Sequence, residues 1–381
     1  MTGGSNGRRL RVVQVVLDLE AGGLERVVAD LTRLLDPARF DVHVLALRFL
    51  GRHAEGLEQY ATLHVAPPLP PWTMLWPRRL ARSLRGIAPD VVHTHSGAWF
   101  KTAVAARSVG VRAIVHTEHG RPEHDPVIGR TIEFLASRKT DVLVAVSENL
   151  AGRMRPWVSR RCRIETIPNG VDTNVFTAGR PDIEWRTRIG LANDTPVIGC
   201  VARLDPIKDF PMLLGALALV RRDWPSGGRE APVLVIAGDG PERDHIVALA
   251  TSLGVADAVH SVGWVGPTVG LYPLFDVFTL SSRSEGTSIA LLEAMSCGVC
   301  PVVTAVGGNT GVLGPELSDL LVPSGSAQAL ADQWRRVLLD AVNRALYGAR
   351  ARQRVIDHFS LSAMVEHHEN LYIQLSREKH S

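Results

Sequence analysis

Short runs of β-branched and apolar residues alternate with longer amphipathic stretches along this chain, and the series restarts at its midpoint. Strands are predicted over 10–17, 42–47, 91–94, 113–117, 142–146 and 164–167, with helices over 24–35, 99–109 and 127–138. A second series has strands over 197–201, 233–237, 258–262, 277–280 and 301–304 and helices over 210–220, 241–253, 288–295 and 327–345. Near-continuous apolar strands separated by helices imply parallel sheets covered on both faces. The expected architecture is α/β, with two doubly wound parallel-sheet domains. Pro168-Asn169-Gly170 and the polar stretch after it mark the boundary near 180. The expected domains are 1–180, 181–359 and a C-terminal helix over 360–381 that packs back on the first. Such sheets bind ligands beyond the carboxyl ends of their strands, which directs attention to a cleft between the domains.

The length of 381 residues exceeds one ordinary core, and 45% hydrophobic with 21% charged residues is globular composition. No apolar stretch reaches the roughly 18 residues of a membrane span. The first eleven residues lack the apolar segment of a secretory signal, and four cysteines are too few for a disulfide framework. The expected location is cytoplasmic. Charge is uneven. Residues 1–180 hold 25 Lys and Arg against 17 Asp and Glu, and the remainder 17 against 22. A basic first half suits an anionic partner.

In the second half, Ser284-Glu285-Gly286-Thr287-Ser288-Ile289 precedes a helix that carries Glu293. Thr287 or Ser288 can cap that helix, and its first N–H groups form an anion site. Arg203 and Lys208 stand in the loop after strand 197–201. Two cations there suit a diphosphate, although Lys208 beside Asp205 and Asp209 also fits an ordinary loop ion pair. Gly238-Asp239-Gly240-Pro241 reads as helix-start chemistry, not a dinucleotide fingerprint, and a nicotinamide enzyme is disfavoured. Cys297 and Cys300 read as core thiols.

In the first half, Gly22 and Gly23 lie between the first strand and the first helix. His93, His95, His116, His119 and His124 cluster near strand ends. Without a Cys or carboxylate array to complete a ligand set, no metal site is predicted. Trp72 and Trp76 precede Arg78, Arg79 and Arg82, a pattern suited to an anionic membrane surface, and 153–161 is a second basic run. No nucleic-acid motif is present.

Taken together, Glu285 and Glu293 with seven residues between them, Arg203 and Lys208, Gly238-Asp239-Gly240-Pro241 and Pro168-Asn169-Gly170-Val171-Asp172 resemble the family 4 glycosyltransferases over nearly the whole chain. The resemblance implies the GT-B fold, two Rossmann-like domains facing across a cleft. It also implies retaining transfer from a nucleoside-diphosphate sugar to a glycan or lipid-linked hydroxyl, with no obligatory metal. It places the diphosphate on Arg203 and Lys208, the ribose on Glu293 and the donor sugar on Glu285. The distal phosphate falls on Thr287, Ser288 and Ile289, and the base near Gly263. His119 and Glu285 become the catalytic residues, with His119 positioning the acceptor or the donor sugar. Gly22, Gly23 and His116 line the cleft. Preorganised cations and a helix N-terminus stabilise the departing diphosphate. The chain departs from the family pattern with Asp209 where glycine is common, Gly311 where glutamate is frequent, and Cys300 before Pro301. The alternatives are a sugar-nucleotide epimerase of the same fold and a non-catalytic nucleotide-sugar binder.

Overall fold

The computed structural model describes residues 8–20, 22–68, 77–121, 127–179, 183–192, 194–225 and 230–378. Trp72, Trp76 and His124 lie outside them. The chain forms two units, Met1–Asn169 with Ser362–Ser381, and Gly170–Leu361. The division falls before the polar stretch that suggests residue 180. Val171 and Phe176 are already buried in the second core, and the Phe176 carbonyl accepts from Ser296 Oγ (2.6 Å) and Arg352 (3.0 Å).

The first unit runs β1 (Leu10–Val16), α1 (Gly23–Leu34), β2 (Phe40–Ala46), β3 (Thr62–Val65), α2 (Arg78–Ile87), β4 (Val91–His95), α3 (Trp99–Ser108), β5 (Ala113–Glu118), α4 (Val127–Ser137), β6 (Val142–Ala145), α5 (Glu148–Met154) and β7 (Arg163–Thr166). Its seven strands are all parallel, in the order β3-β2-β1-β4-β5-β6-β7. From Val12 to Val16, β1 is a run of fully buried valines interrupted by Gln14, which is equally buried. In α2 the apolar side chains Leu80, Leu84 and Ile87 recur at helical spacing and face the core, leaving Arg78, Arg79 and Arg82 exposed.

The second unit runs α6 (Ile183–Arg188), β8 (Val197–Val201), α7 (Phe210–Arg222), β9 (Val233–Ala237), α8 (Arg243–Ser252), β10 (Val259–Gly263), β11 (Val277–Leu280), α9 (Ile289–Ser296), β12 (Cys300–Thr304), α10 (Asn309–Leu313), β13 (Leu321–Val322), α11 (Ala327–Leu339) and α12 (Ala341–His358). Its six parallel strands take the order β10-β9-β8-β11-β12-β13. The single helix expected over 327–345 is two. Asp340 breaks it and caps α12, accepting from Asn343 N at 3.0 Å. The last helix, α13 (Leu361–Glu378), belongs to the first unit from Ser362 onward: Glu369 accepts from Asp36 N and from Arg39, each at 2.8 Å. All four cysteines are free and buried, and burial pushes each thiol up to about 12.

Loops at the carboxyl ends of the second sheet pack backbone against backbone. Gly238 donates to the Gly263 carbonyl (2.8 Å), and a Cβ on Gly238, at φ +149°, would sit 1.8 Å from the Ala202 carbonyl oxygen. Gly238→Ala is therefore expected to lower stability by about 2 kcal/mol or more. Urea unfolding followed by circular dichroism checks this; an unchanged midpoint would show that the loop yields.

Candidate functional site

Each unit carries a polar constellation at the carboxyl edge of its sheet. In the second unit, the chain leaves β8 through Arg203 and a 3-10 turn, Pro206–Lys208. Lys208 Nζ donates to Glu285 Oε1 at 2.6 Å, and Ser282 Oγ donates to the same oxygen at 2.6 Å. The ordinary-loop expectation for Lys208 is corrected, because its carboxylate partner is 77 residues away. Asp205 pairs instead with Arg203, whose side chain is two-thirds exposed. Asp209 pairs with Arg283 at 2.9 Å.

Two neighbouring loops hold this pair. Ser281 Oγ donates to the carbonyls of Lys208 (2.7 Å) and Asp209 (3.1 Å), tying the loop after β11 to the loop after β8. The Glu285 carbonyl accepts from Gly308 N at 3.2 Å, and a Cβ on Gly307 would lie 1.9 Å from it. Asp209 shows why glycine is common at its position. Its backbone is left-handed, φ +51°. Here the buried aspartate carboxylate offsets that strain by capping α7 at Met212 N and by its ion pair with Arg283.

Glu285 precedes α9, with Thr287 buried and Ser288 capping Leu291 N. Glu293, about one and a half turns into α9, is buried, only 6% exposed. Its Oε2 accepts from Tyr272 OH (2.5 Å) and Thr268 Oγ1 (3.2 Å), so two hydroxyls fix the carboxylate. Tyr272 in turn is locked among Phe176, Phe275 and Phe278. Neither Thr268 nor Tyr272 is marked by a motif. The only sequence signal is that a core tyrosine needs a partner for its hydroxyl.

In the first unit, Gly22 sits at the cap position of α1, where a Cβ would meet the Glu25 carboxylate, and Gly23 opens the helix. His95 and Glu118 end β4 and β5, and His119 follows. Glu118 Oε1 accepts from His119 N (3.1 Å), Gly120 N (3.3 Å) and Ser96 Oγ (3.3 Å). Burial opposes the Glu118 charge, yet pairing with His116, the Arg121 charge and the Gly120 N–H hold its carboxyl below the usual range. His116 stacks on Trp99, ring centroids 4.0 Å apart, and bonds Thr94 at 2.8 Å. His119 Nε2 lies 3.0 Å from His95 Nδ1. His95 Nε2 bonds Gln14, whose amide donates to Tyr372 OH; that hydroxyl bonds His93, and His93 bonds Thr117. Thus His93 and His95 bond protein groups. Among the described residues no His, Cys, Asp and Glu group is arranged to hold a metal. Nor is any described helix long and apolar enough to cross a membrane.

Burial pushes these imidazoles down: His93 and His95 well below 6.5, His116 below it, His368 to about 4 and His119 to about 3. At neutral pH they are uncharged hydrogen-bonding groups.

Comparison with known proteins agrees with this organisation. Residues 21–175 match the family described as Glycosyltransferase Family 4, and residues 182–354 match Glycosyl transferases group 1. A GDP-mannose-dependent alpha-(1-6)-phosphatidylinositol monomannoside mannosyltransferase of Mycolicibacterium smegmatis is 30% identical over 288 residues, covering 70% of this chain and 73% of the relative. A UDP-Gal:alpha-D-GlcNAc-diphosphoundecaprenol alpha-1,3-galactosyltransferase of Escherichia coli is 25% identical, over 97% and 98% of the two chains. The crystal structure of Anabaena HepE in complex with UDP and glucose superposes with a TM-score of 0.83 at 21% identity, over 96% and 100%.

The buried histidines give the first unit a pH dependence. A histidine with a depressed native pKa takes up its proton only on unfolding, so stability falls as pH drops below 6.5. Well below 6.5 the loss approaches about 1.4 kcal/mol per pH unit for each histidine that stays uncharged in the fold. Between pH 6.5 and 5.5 ordinary carboxylates scarcely titrate, so this window belongs to the histidines. The thermal midpoint is expected to fall there; a flat profile would mean the imidazoles titrate alike in the folded and unfolded states.

Proposed function

This chain belongs to glycosyltransferase family 4 and has the GT-B fold, and from that premise we propose that it moves a sugar from a nucleoside-diphosphate donor to a hydroxyl of a glycan or lipid-linked glycan, with retention and without a metal. The observation that carries this reading is the Lys208–Glu285–Ser282 cluster beside the N-terminus of α9, with Glu293 fixed inside that helix. Lys208 and Arg203 bind the diphosphate. Backbone N–H groups at Thr287, Ser288 and Ile289 hold the distal phosphate. Glu293 accepts from the ribose hydroxyls, Glu285 from the donor-sugar hydroxyls, and Gly263 borders the base. Lys208 donates to Glu285 at 2.6 Å, and phosphates bound to the lysine compete with the carboxylate for it.

The reaction then needs no base from the protein. The anomeric C–O bond to phosphate breaks while the acceptor oxygen bonds the same face. The acceptor proton passes to the departing phosphate oxygen. Charge grows on that diphosphate, and a preorganised lysine, arginine and helix N-terminus stabilise it. His119 positions the sugar, and Gly22 and Gly23 border the acceptor, whereas His116, wholly buried against Trp99 and Thr94, does not reach it.

The names of both reported relatives specify a lipid acceptor, which supports a lipid-linked acceptor here; they differ in base, UDP for one and GDP for the other. We place the protein peripherally at the inner face of an anionic membrane. The exposed arginines of α2 support this, and so do Val127 and Ile128 on α4, each three-quarters exposed.

Thermal unfolding with UDP, GDP, ADP and NAD at about 1 mM tests the donor site, since a ligand at 100 times its Kd stabilises by about 2.7 kcal/mol. One nucleoside diphosphate is expected to raise the midpoint, and NAD is not. In Glu293→Gln the remaining carbonyl still accepts from Tyr272, so the unliganded midpoint should hold while nucleotide affinity drops about tenfold. Unchanged affinity would remove Glu293 from the site.

Replacing Arg78, Arg79 and Arg82 with glutamine should reduce co-sedimentation with vesicles containing phosphatidylserine and leave the nucleotide shift intact. Equal sedimentation would reject the membrane surface.

A further inference from the structure

An uninterrupted line of hydrogen bonds joins His119 to the C-terminal helix. It runs from His119 Nε2 to His95 Nδ1 (3.0 Å) and from His95 Nε2 to Gln14 Oε1 (2.9 Å). Gln14 Nε2 then reaches Tyr372 OH (3.1 Å), Tyr372 OH reaches His93 Nδ1 (2.6 Å), and His93 Nε2 reaches Thr117 Oγ1 (2.6 Å). Every link lies within the first unit.

The line has one direction. A neutral imidazole owns one N–H and one lone pair, whereas an amide separates its donors from its acceptor. Gln14 gives its N–H to Tyr372, so the phenol proton is free to go to His93. Gln14 turns its carbonyl to His95, so His95 must carry its proton on Nε2 and leave Nδ1 bare. The bond between the two histidines is therefore donated by His119 Nε2–H, and His119 Nδ1 is a lone pair. Among the described residues that nitrogen is buried with no hydrogen-bond partner. The opposite polarity would leave a buried N–H without an acceptor, the rarer of the two defects in folded proteins.

We propose that Gln14 and Tyr372 are positioning residues for glycosyl transfer: acting through His95, they hold His119 in the Nε2–H tautomer, so that Nδ1 accepts a hydrogen bond from a hydroxyl of the bound sugar. This rests on reading His119 as the residue that positions the sugar. The line explains why the buried valine run of β1 carries a glutamine, and why a buried tyrosine of the last helix faces it. It also makes the acceptor nitrogen ready before the sugar arrives, so no proton need be rearranged on binding.

Long-range nitrogen–proton correlation spectra of the wild-type protein at pH 7, with the His119 ring assigned by comparison with His119→Asn, read the tautomer directly. The expected spectrum shows a protonated Nε2 and a bare Nδ1; a protonated Nδ1 would overturn the proposal, whatever the variants do. Kinetics follow the turnover of UDP-glucose or GDP-mannose, whichever base the thermal screen selects. Tyr372→Phe and Gln14→Leu should each lower kcat about tenfold, with affinity for the bare nucleoside diphosphate unchanged. In a His119→Ala background the same substitutions should have no further effect. An undiminished tenfold loss in that background would show that they act on packing and overturn the positioning role. If His119→Ala lowers transfer but Tyr372→Phe does not, the line falls and the reading of His119 stands. If His119→Ala has no effect, that reading falls first, and the nucleotide affinity reports separately on the second unit.

Discussion

A parallel sheet covered by helices on both faces leaves little room for polar chemistry away from its edges, and loops after the strands gather at the carboxyl one. That constraint governs both halves of the molecule. In the second unit, Lys208, Gly238, Gly263, Glu285 and Gly307 lie at or just after the ends of five different strands. In the first, His95 and Glu118 are the last residues of β4 and β5, and His119 is the next residue. The strands are near-continuous apolar runs because they must be, and polar side chains concentrate where the runs stop, with Gln14 and His93 among the buried exceptions inside strands.

Confinement has an energetic consequence. Charged and polar side chains at a sheet edge are partly or wholly removed from water, so each needs a partner. In the second unit most of the partners come from other loops, Ser282 being a neighbour of Glu285 in its own. Ser282 shares Glu285 with Lys208, Tyr272 and Thr268 share Glu293, and Arg283 answers Asp209. A change to one loop is felt by its neighbour, which is how Asp209 replaces glycine without the turn being lost. In the first unit uncharged histidines carry the burden instead, bonding in series through an amide and a phenol.

How much of this could be read from the sequence depended on range. Strands 197–201, 233–237 and 277–280 coincide with β8, β9 and β11 because burial on both faces leaves an unmistakable apolar run. β3 and β13 were not legible: one is a half-exposed edge strand and the other has two residues. The glutamates and cations of the second unit stood out as motifs, yet their partners did not. Lys208 sits among nearby aspartates but bonds a distant glutamate, and Tyr272 and Thr268 lie in a loop without any pattern. Gln14 was visible as one polar letter inside Val-Val-Gln-Val-Val. Nothing local connects it to Tyr372, which lies 358 residues away.

That separation has a consequence for how the molecule is made. The first unit consists of two segments, Met1–Asn169 and Ser362–Ser381, with the whole second unit synthesised between them. At 5–20 residues per second, about 10–40 s pass on the ribosome between completion of the first segment and emergence of its last helix. During that interval β1 holds a glutamine in an apolar sheet with no tyrosine to meet it, and Asp36 and Arg39 lack Glu369. The second unit, encoded without interruption, has all its own residues first. Although it starts last, it is the half that can mature earlier, and the N-terminal segment waits for α13.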